Sequence, residues 1–348
     1  MKKLMKWIML GFVLMGSLSF VEAAEKELMG AGASFPYPLY TKMFSEYHKE
    51  TGVKVNYQAI GSGGGIKQVL AKVVDFGGTD AYLDDAKLRE VKEEILHIPT
   101  CLGAVAVTYN LPGSPTLQLT GDVIADIFMG KITLWNDQRI QSLNKTVNLP
   151  KMRITVVRRS DSSGTTFIFT DYLSKVSADW ETGMGRSKTP SWGATAIGAA
   201  KNAGVAGQVK NIPGSIGYVE VIYALSNGMP VASVKNKSGR FIAPTLEGVG
   251  LAADTDMPAD TRVTITDTAA TDGYPISSFT WVILFKEQNY GGRTLAQAKE
   301  TLDLLWWMIH DGQRYNEELK YGELSKEAVK KAEAVLRSTQ YNGKPILK

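Results

Sequence analysis

The chain has 348 residues, 39 Lys and Arg against 35 Asp and Glu, a formal charge of +4 and a single cysteine. The near balance, with no basic block, excludes a nucleic-acid grip built on neutralised backbone phosphates. One cysteine excludes an internal disulfide, and Cys101 in the apolar run "IPTCLGAVAVTYN" reads as a small buried hydrophobe.

The first residues, "MKKLMKWIMLGFVLMGSLSFVEA", have the three parts of a secretory leader. Lys2, Lys3 and Lys6 precede an apolar run, and Val21-Glu22-Ala23 fits a small-residue cleavage site. The run is short and broken by glycines and serines, which argues against a membrane anchor. Cleavage after residue 23 removes three lysines and one glutamate, leaving a charge of +2 and a chain working outside the cytoplasm. What remains, about 325 residues, suffices for two domains, each with its own core.

Strand and helix patterns then alternate. "KELMGAGA" predicts a strand, and "PYPLYTKMFSEYHKE" a helix with Leu39, Tyr40, Met43, Phe44 and Tyr47 on one face. "VKVNYQAI" is the next strand and "GGIKQVLAKVV" the next helix, burying Ile66, Val69, Leu70 and Val73. "ILHIPTCLGAVAVTYN" is a strand pair or one long strand. "RITVVRR" leads into the helix "GTTFIFTDYLSKV". Residues 177–210, rich in Gly, Ser, Thr and Ala, predict loops and short helices. "SIGYVEVIYAL" and "SFTWVILF" are late strands. The end, "TLAQAKETLDLLWWMIHDG" and "SKEAVKKAEAVLRST", is helical, with Trp306 and Trp307 in packing roles. The alternation implies α/β layers with largely parallel sheets.

Three strand-to-helix junctions share one design: "GAGASFP", "IGSGGGIKQ" and "RSDSSGTTF". Free N–H groups and the positive dipole end at a helix start attract an anion. Glycine lets the backbone approach, and hydroxyls add donors. Each junction alone is explained by capping and tight turns. Three of them, one behind Arg158 and Arg159, point to a shared anion.

These stretches, with "VDFGGTDAYL" and "GSIGYVE", resemble the periplasmic phosphate-binding proteins of bacterial phosphate ABC transporters, in matching order across most of the chain. The resemblance implies a phosphate-ligand set of Ser34, Phe35, Ser62, Asp80, Arg159, Asp161, Ser163, Gly164 and Thr165. Two departures stand out: Ser34 where threonine is common, and Ser162 where glycine is common. The resemblance further implies a two-lobed α/β periplasmic binding protein fold with hinge strands and an interlobe cleft. Residues 24–104 and 275–348 would form one lobe and 105–274 the other. It implies no cofactor and no metal. The expected partners are inorganic phosphate and an inner-membrane ABC permease of two membrane subunits and an ATPase. A periplasmic monomer is expected.

The acids complete the reading. Phosphate near neutral pH carries a proton and sulfate does not, so a carboxylate at the site accepts a hydrogen bond from one and repels the other. The resemblance gives that role to Asp80, whose alternative is a helix cap for "AYLDDAKL". Asp161 is expected to fix the Arg159 guanidinium, its alternative being a turn residue. Arg158 is left as a solvent-facing or structural charge. A secreted phosphatase or serine hydrolase with Ser163 as nucleophile is the rival class. Neither G-x-S-x-G nor H-E-x-x-H occurs, and His48, His97 and His310 are poorly placed for catalysis. A sulfate or molybdate binder is opposed by Asp80, and a surface adhesin by the retained arginine and serines.

Overall fold

A computed structural model describes residues 27–347. The expected leader, residues 1–23, lies outside them. Among the described residues no helix is long and apolar enough to cross a membrane.

Among the described residues, nine strands form the central sheet. In chain order they are β1 Glu27–Gly32, β2 Lys54–Ala59, β3 Phe76–Thr79, β4 Ile95–Tyr109 and β5 Thr155–Arg159, then β6 Ile197–Ala199, β7 Ser215–Glu220, β8 Ile265–Thr266 and β9 Ile276–Phe285. The helices that build or support the site are α1 Tyr37–Thr51, α2 Ser62–Leu70, α3 Gly164–Val176, α4 Lys201–Asn211, α5 Leu295–Ile309 and α6 Lys326–Arg337. The strand order is β2-β1-β3-β9-β4-β7-β5-β6, with β8 on β9. Both wings are parallel, β1 with β2 and β3, and β5 with β6 and β7. Antiparallel pairings fill the middle, where β9 and β4 run through.

β4 explains the apolar run "IPTCLGAVAVTYN". All fifteen of its residues are buried, so no polar alternation survives in the sequence. It is one strand serving two neighbours: β9 pairs with it up to Ala104, and β7 from Val105 onward. Its ladder with β9 shifts where Thr280 faces Cys101 and Trp281 faces Pro99, leaving Thr100 as an extra residue. Pro99, with no N–H to give, is tolerated at such a bulge. The Thr100 hydroxyl donates to the Thr280 carbonyl at 3.2 Å and meets the Tyr40 hydroxyl at 2.7 Å. The bulge thereby fixes Thr280, a residue that reaches the site.

α1 buries the face its spacing predicts, Leu39, Tyr40, Met43, Phe44 and Tyr47. It stops at Gly52, whose φ of 74° suits glycine and whose N–H returns to the His48 carbonyl. Tyr40 and Phe44 then form an aromatic cluster with Tyr57 and Phe76 under β1 to β3. At the chain's end a capping box of Thr294 and Gln297 opens α5. Leu302 and Leu305 of α5 and Leu336 of α6 enter the main core. Trp307 packs edge-on against Tyr47, and Trp306 stacks on His310.

Three expectations change. α2 ends at Leu70, so Val73 lies beyond it and is 62% exposed. "SIGYVEVIYAL" is a strand only to Glu220, and residues 221–225 are helical because the Glu220 carboxyl accepts from the Ile222 N–H and caps them. Residues 201–211, almost all of them in the stretch expected to hold loops and short helices, form α4, a full helix of eleven residues.

Candidate functional site

Each candidate residue lies at or just past the C-terminal end of a parallel strand. Ser34 and Phe35 follow β1, Ser62 follows β2, Asp80 follows β3, and residues 159–165 run from the end of β5 into α3. β1 lies between β2 and β3, and β5 between β6 and β7. Such switch points, where connections leave a central strand in opposite directions, are where open α/β sheets bind ligands.

The three helix starts meet. A methyl on Gly164 would stand 2.3 Å from Ser62 Oγ and 2.5 Å from Asp80 Oδ2, so only glycine lets α3 come this close. The Gly63 N–H donates to the Ser162 carbonyl at 3.0 Å. Gly61, at a φ of +84°, would place a methyl 2.5 Å from Asp161 Oδ2. Ser34, Phe35, Ser62, Asp80, Arg159, Ser163, Gly164 and Thr165 are all buried, and Asp161 is partly so.

Capping separates the serines. Ser163 is a true N-cap, its Oγ accepting from the Thr166 N–H at 3.0 Å. Ser34 and Ser62 cap nothing: α1 and α2 begin without a side-chain cap. Ser62 Oγ accepts from the Asp80 N–H at 3.2 Å and lies 3.4 Å from Asp80 Oδ2. The N–H groups of Phe35, Gly164 and Thr165 have no acceptor among the described residues, leaving a fan of main-chain donors at the meeting point.

Arg159 is gripped as a fork. Its Nε donates to Asp161 Oδ1 at 2.8 Å, its Nη2 donates to Asp161 Oδ2, and its Nη1 donates to Thr165 Oγ1 at 3.2 Å. Burial pushes the Asp161 carboxyl up, but the Arg159 hydrogen bonds and charge, with the Lys201 N–H, outweigh it and hold the group below its ordinary value. Asp161 is therefore an arginine clamp rather than a simple turn residue. Arg158 turns back to the Arg159 carbonyl at 3.1 Å.

Asp80 behaves oppositely. Burial pushes its carboxyl up to about 7, against the hydrogen bond from Thr280, the Arg159 charge and the Ser62 hydroxyl. Thr280 Oγ1 donates to Asp80 Oδ1 at 2.8 Å. The nearby helix of residues 85–90 is capped by Asp84, not Asp80. A cluster of N–H, hydroxyl and guanidinium donors thus contains one carboxyl poised near neutrality. That set suits a small tetrahedral oxyanion that still bears a proton.

Comparison with known proteins reaches the same chemistry. A family profile described as the PBP superfamily domain matches residues 21–309. The phosphate-binding protein PstS of Xylella fastidiosa is 41% identical over 315 residues, spanning 88% of this chain and 84% of its own. That of Pasteurella multocida is 41% identical over 312 residues, spanning 88% and 89%. The chain belongs to the PstS phosphate-binding protein family.

Solved structures share the fold of this PstS-family chain. A high-affinity periplasmic phosphate-binding protein determined with phosphate superposes at a TM-score of 0.72 with 22% identity, over 88% of this chain and 93% of that one. An ABC-type phosphate transport receptor from Vibrio cholerae superposes at 0.56 with 18% identity, over 85% and 100%.

Sequence reasoning missed four residues that line or brace this candidate site. Asn202 bridges Ser34 and Thr165, Thr280 holds Asp80, and the Tyr218 hydroxyl lies 2.7 Å from Thr166 Oγ1. Glu220 is fully buried at the end of β7, and burial raises its carboxyl well above the ordinary range. Only "GSIGYVE", quoted for the family resemblance, carried a signal for two of them. Cys101 is buried, and burial raises its thiol well out of the reactive range.

Proposed function

We propose that the chain is the solute-binding component of a phosphate importer. It captures inorganic phosphate where the three helix starts meet and delivers it to an ABC permease of two membrane subunits and an ATPase. It works in the periplasm once residues 1–23 are removed. In this reading residues 24–104 with 275–348 form one lobe, residues 105–274 the other, and β4 and β9 are the crossing strands. The protein acts as a monomer, without cofactor or metal, and binds its ligand rather than transforming it.

The observation that carries the proposal is Asp80, a buried carboxyl among donors, with Thr280 on one oxygen and Ser62 near the other. Donors alone would hold any oxyanion. A carboxylate beside them accepts the proton that phosphate keeps and presents only lone pairs to sulfate. The assigned ligands are Ser34, Phe35, Ser62, Asp80, Arg159, Ser163, Gly164 and Thr165, with Asp161 fixing the arginine. Names of relatives and the phosphate held by a structural neighbour support the same ligand. Bridging one lobe to the other favours a closed form by contacts an open form lacks.

Isothermal titration of the chain lacking residues 1–23 with phosphate at neutral pH tests the proposal. It predicts saturable binding of one phosphate per chain, lost in Arg159→Ala. Absence of phosphate binding by the intact site overturns it.

A further inference from the structure

We propose that Asn202 is a positioning residue that sets the direction of two hydroxyl protons, Ser34 and Thr165, and so makes both hydroxyls obligate donors to the ligand. This rests on the proposed function and concerns how the same site is wired.

The amide orientation is fixed by its surroundings. Asn202 Oδ1 accepts from the Glu220 main-chain N–H at 3.0 Å, and a main-chain N–H can only donate. The other end must therefore be the NH2 group. It donates to Ser34 Oγ at 3.1 Å and to Thr165 Oγ1 at 3.1 Å. The Asn202 main-chain N–H adds a second bond to Ser34 Oγ at 3.2 Å. Thr165 Oγ1 accepts its second bond from Arg159 Nη1 at 3.2 Å.

A hydroxyl has two acceptor lone pairs and one proton. On both Ser34 and Thr165 the two lone pairs are occupied, and neither O–H has a protein acceptor among the described residues. The single remaining capacity of each is to donate, and the donor cluster between them is where an anion would accept. Without Asn202 each hydroxyl could rotate and offer either a proton or a lone pair.

The backbone that delivers Asn202 is built for the task. Lys201, the residue before it, has a φ of 63°, a left-handed conformation costly for a side chain other than glycine. The Lys201 N–H donates to Asp161 Oδ1 at 3.0 Å. The carboxylate that clamps Arg159 thus also anchors the turn that presents Asn202. Asn202 itself is completely buried and joins residues from the two wings of the sheet.

Reversing the hydrogen bonds separates this role from mere packing. Asn202→Asp keeps the acceptor for Glu220 but replaces the amide donor by a second acceptor, which draws both hydroxyl protons away from the ligand. Asn202→Ala only releases them. Phosphate titration at pH 8 is expected to show a loss of about tenfold for Asn202→Ala and at least about a hundredfold for Asn202→Asp. Because an added charge could repel phosphate directly, Asn202→Asp is also measured in a Ser34→Ala/Thr165→Val background. There its cost is expected to shrink by about tenfold or more, since the hydroxyls it acts through are gone. Melting curves confirm folding; if Asn202→Asp does not fold, the same cycle is run with Asn202→Ala, whose cost must vanish in that background. Equal losses for the two variants, or an undiminished cost in the background, overturn the inference while wild-type binding leaves the proposed function standing. A wild type that binds no phosphate overturns both.

Discussion

Asp80 costs the empty protein stability, and replacing it by asparagine should make the protein more stable above neutral pH while damaging its discrimination. Burial raises the Asp80 carboxyl from its ordinary 3.8 to about 7. The folded state therefore holds this proton more tightly than the unfolded chain does. The favourable contribution is complete below pH 3.8, falls away as the pH rises toward 7, and is absent above it. A shift of about three units at ~1.4 kcal/mol each amounts to about 4 kcal/mol. The amide of an Asp80→Asn variant would carry no such dependence. Its oxygen can accept from Thr280, and its NH2 can donate to Ser62 Oγ, so both existing partners are kept. Urea unfolding without phosphate should show Asp80→Asn more stable by about 1.5 kcal/mol at pH 5 and about 4 kcal/mol at pH 8. A variant no more stable than wild type at pH 8, or an equal gap at both pH values, would refute the reasoning.

Further predictions concern the ligand. Sulfate affinity of the wild type should rise by about tenfold as the pH falls from 8 to 5.5 and level off below pH 7, because a protonated Asp80 can donate to an anion that its charged form repels; titrations at pH 5.5 and 8 check this, and a flat profile contradicts it. Asp80→Asn should bind sulfate comparably at both pH values, since its amide is a donor throughout. Gly164→Ala should fold with a near-normal melting temperature yet lose at least about a hundredfold in phosphate affinity, because the added methyl collides with Ser62 and Asp80 as the helix starts meet; wild-type affinity would show that α3 need not approach so closely.

Much of the scaffold was legible because its signals are local. Leu39 to Tyr47 repeat at helical spacing, β4 is a mostly apolar run, and each anion-directed turn sits between such elements as a tight group of glycines and hydroxyls. The candidate ligand set came from the family resemblance, which rests on the same turns, and the fold brings those residues together. What escaped is non-local. Asn202 lies in a Gly- and Ala-rich stretch with a weak apolar face, and the two hydroxyls it orders are 168 and 37 residues away. Thr280 reaches Asp80 across 200 residues, placed by the bulge at Thr100. The end of β7 was misread because "VEVIYAL" is rich in β-branched and aromatic residues. A single cap from Glu220 overrides that preference and turns the chain into a helix.

The central claim is that a buried donor cage takes an oxyanion only if the anion brings a proton for Asp80. Parallel calorimetric titrations of the chain lacking residues 1–23 with phosphate, arsenate and sulfate at pH 8 test it most directly. Phosphate and arsenate, which share protonation behaviour, should each bind at one site and compete, and sulfate should give no saturable heat. Sulfate binding as tightly as phosphate would contradict the account.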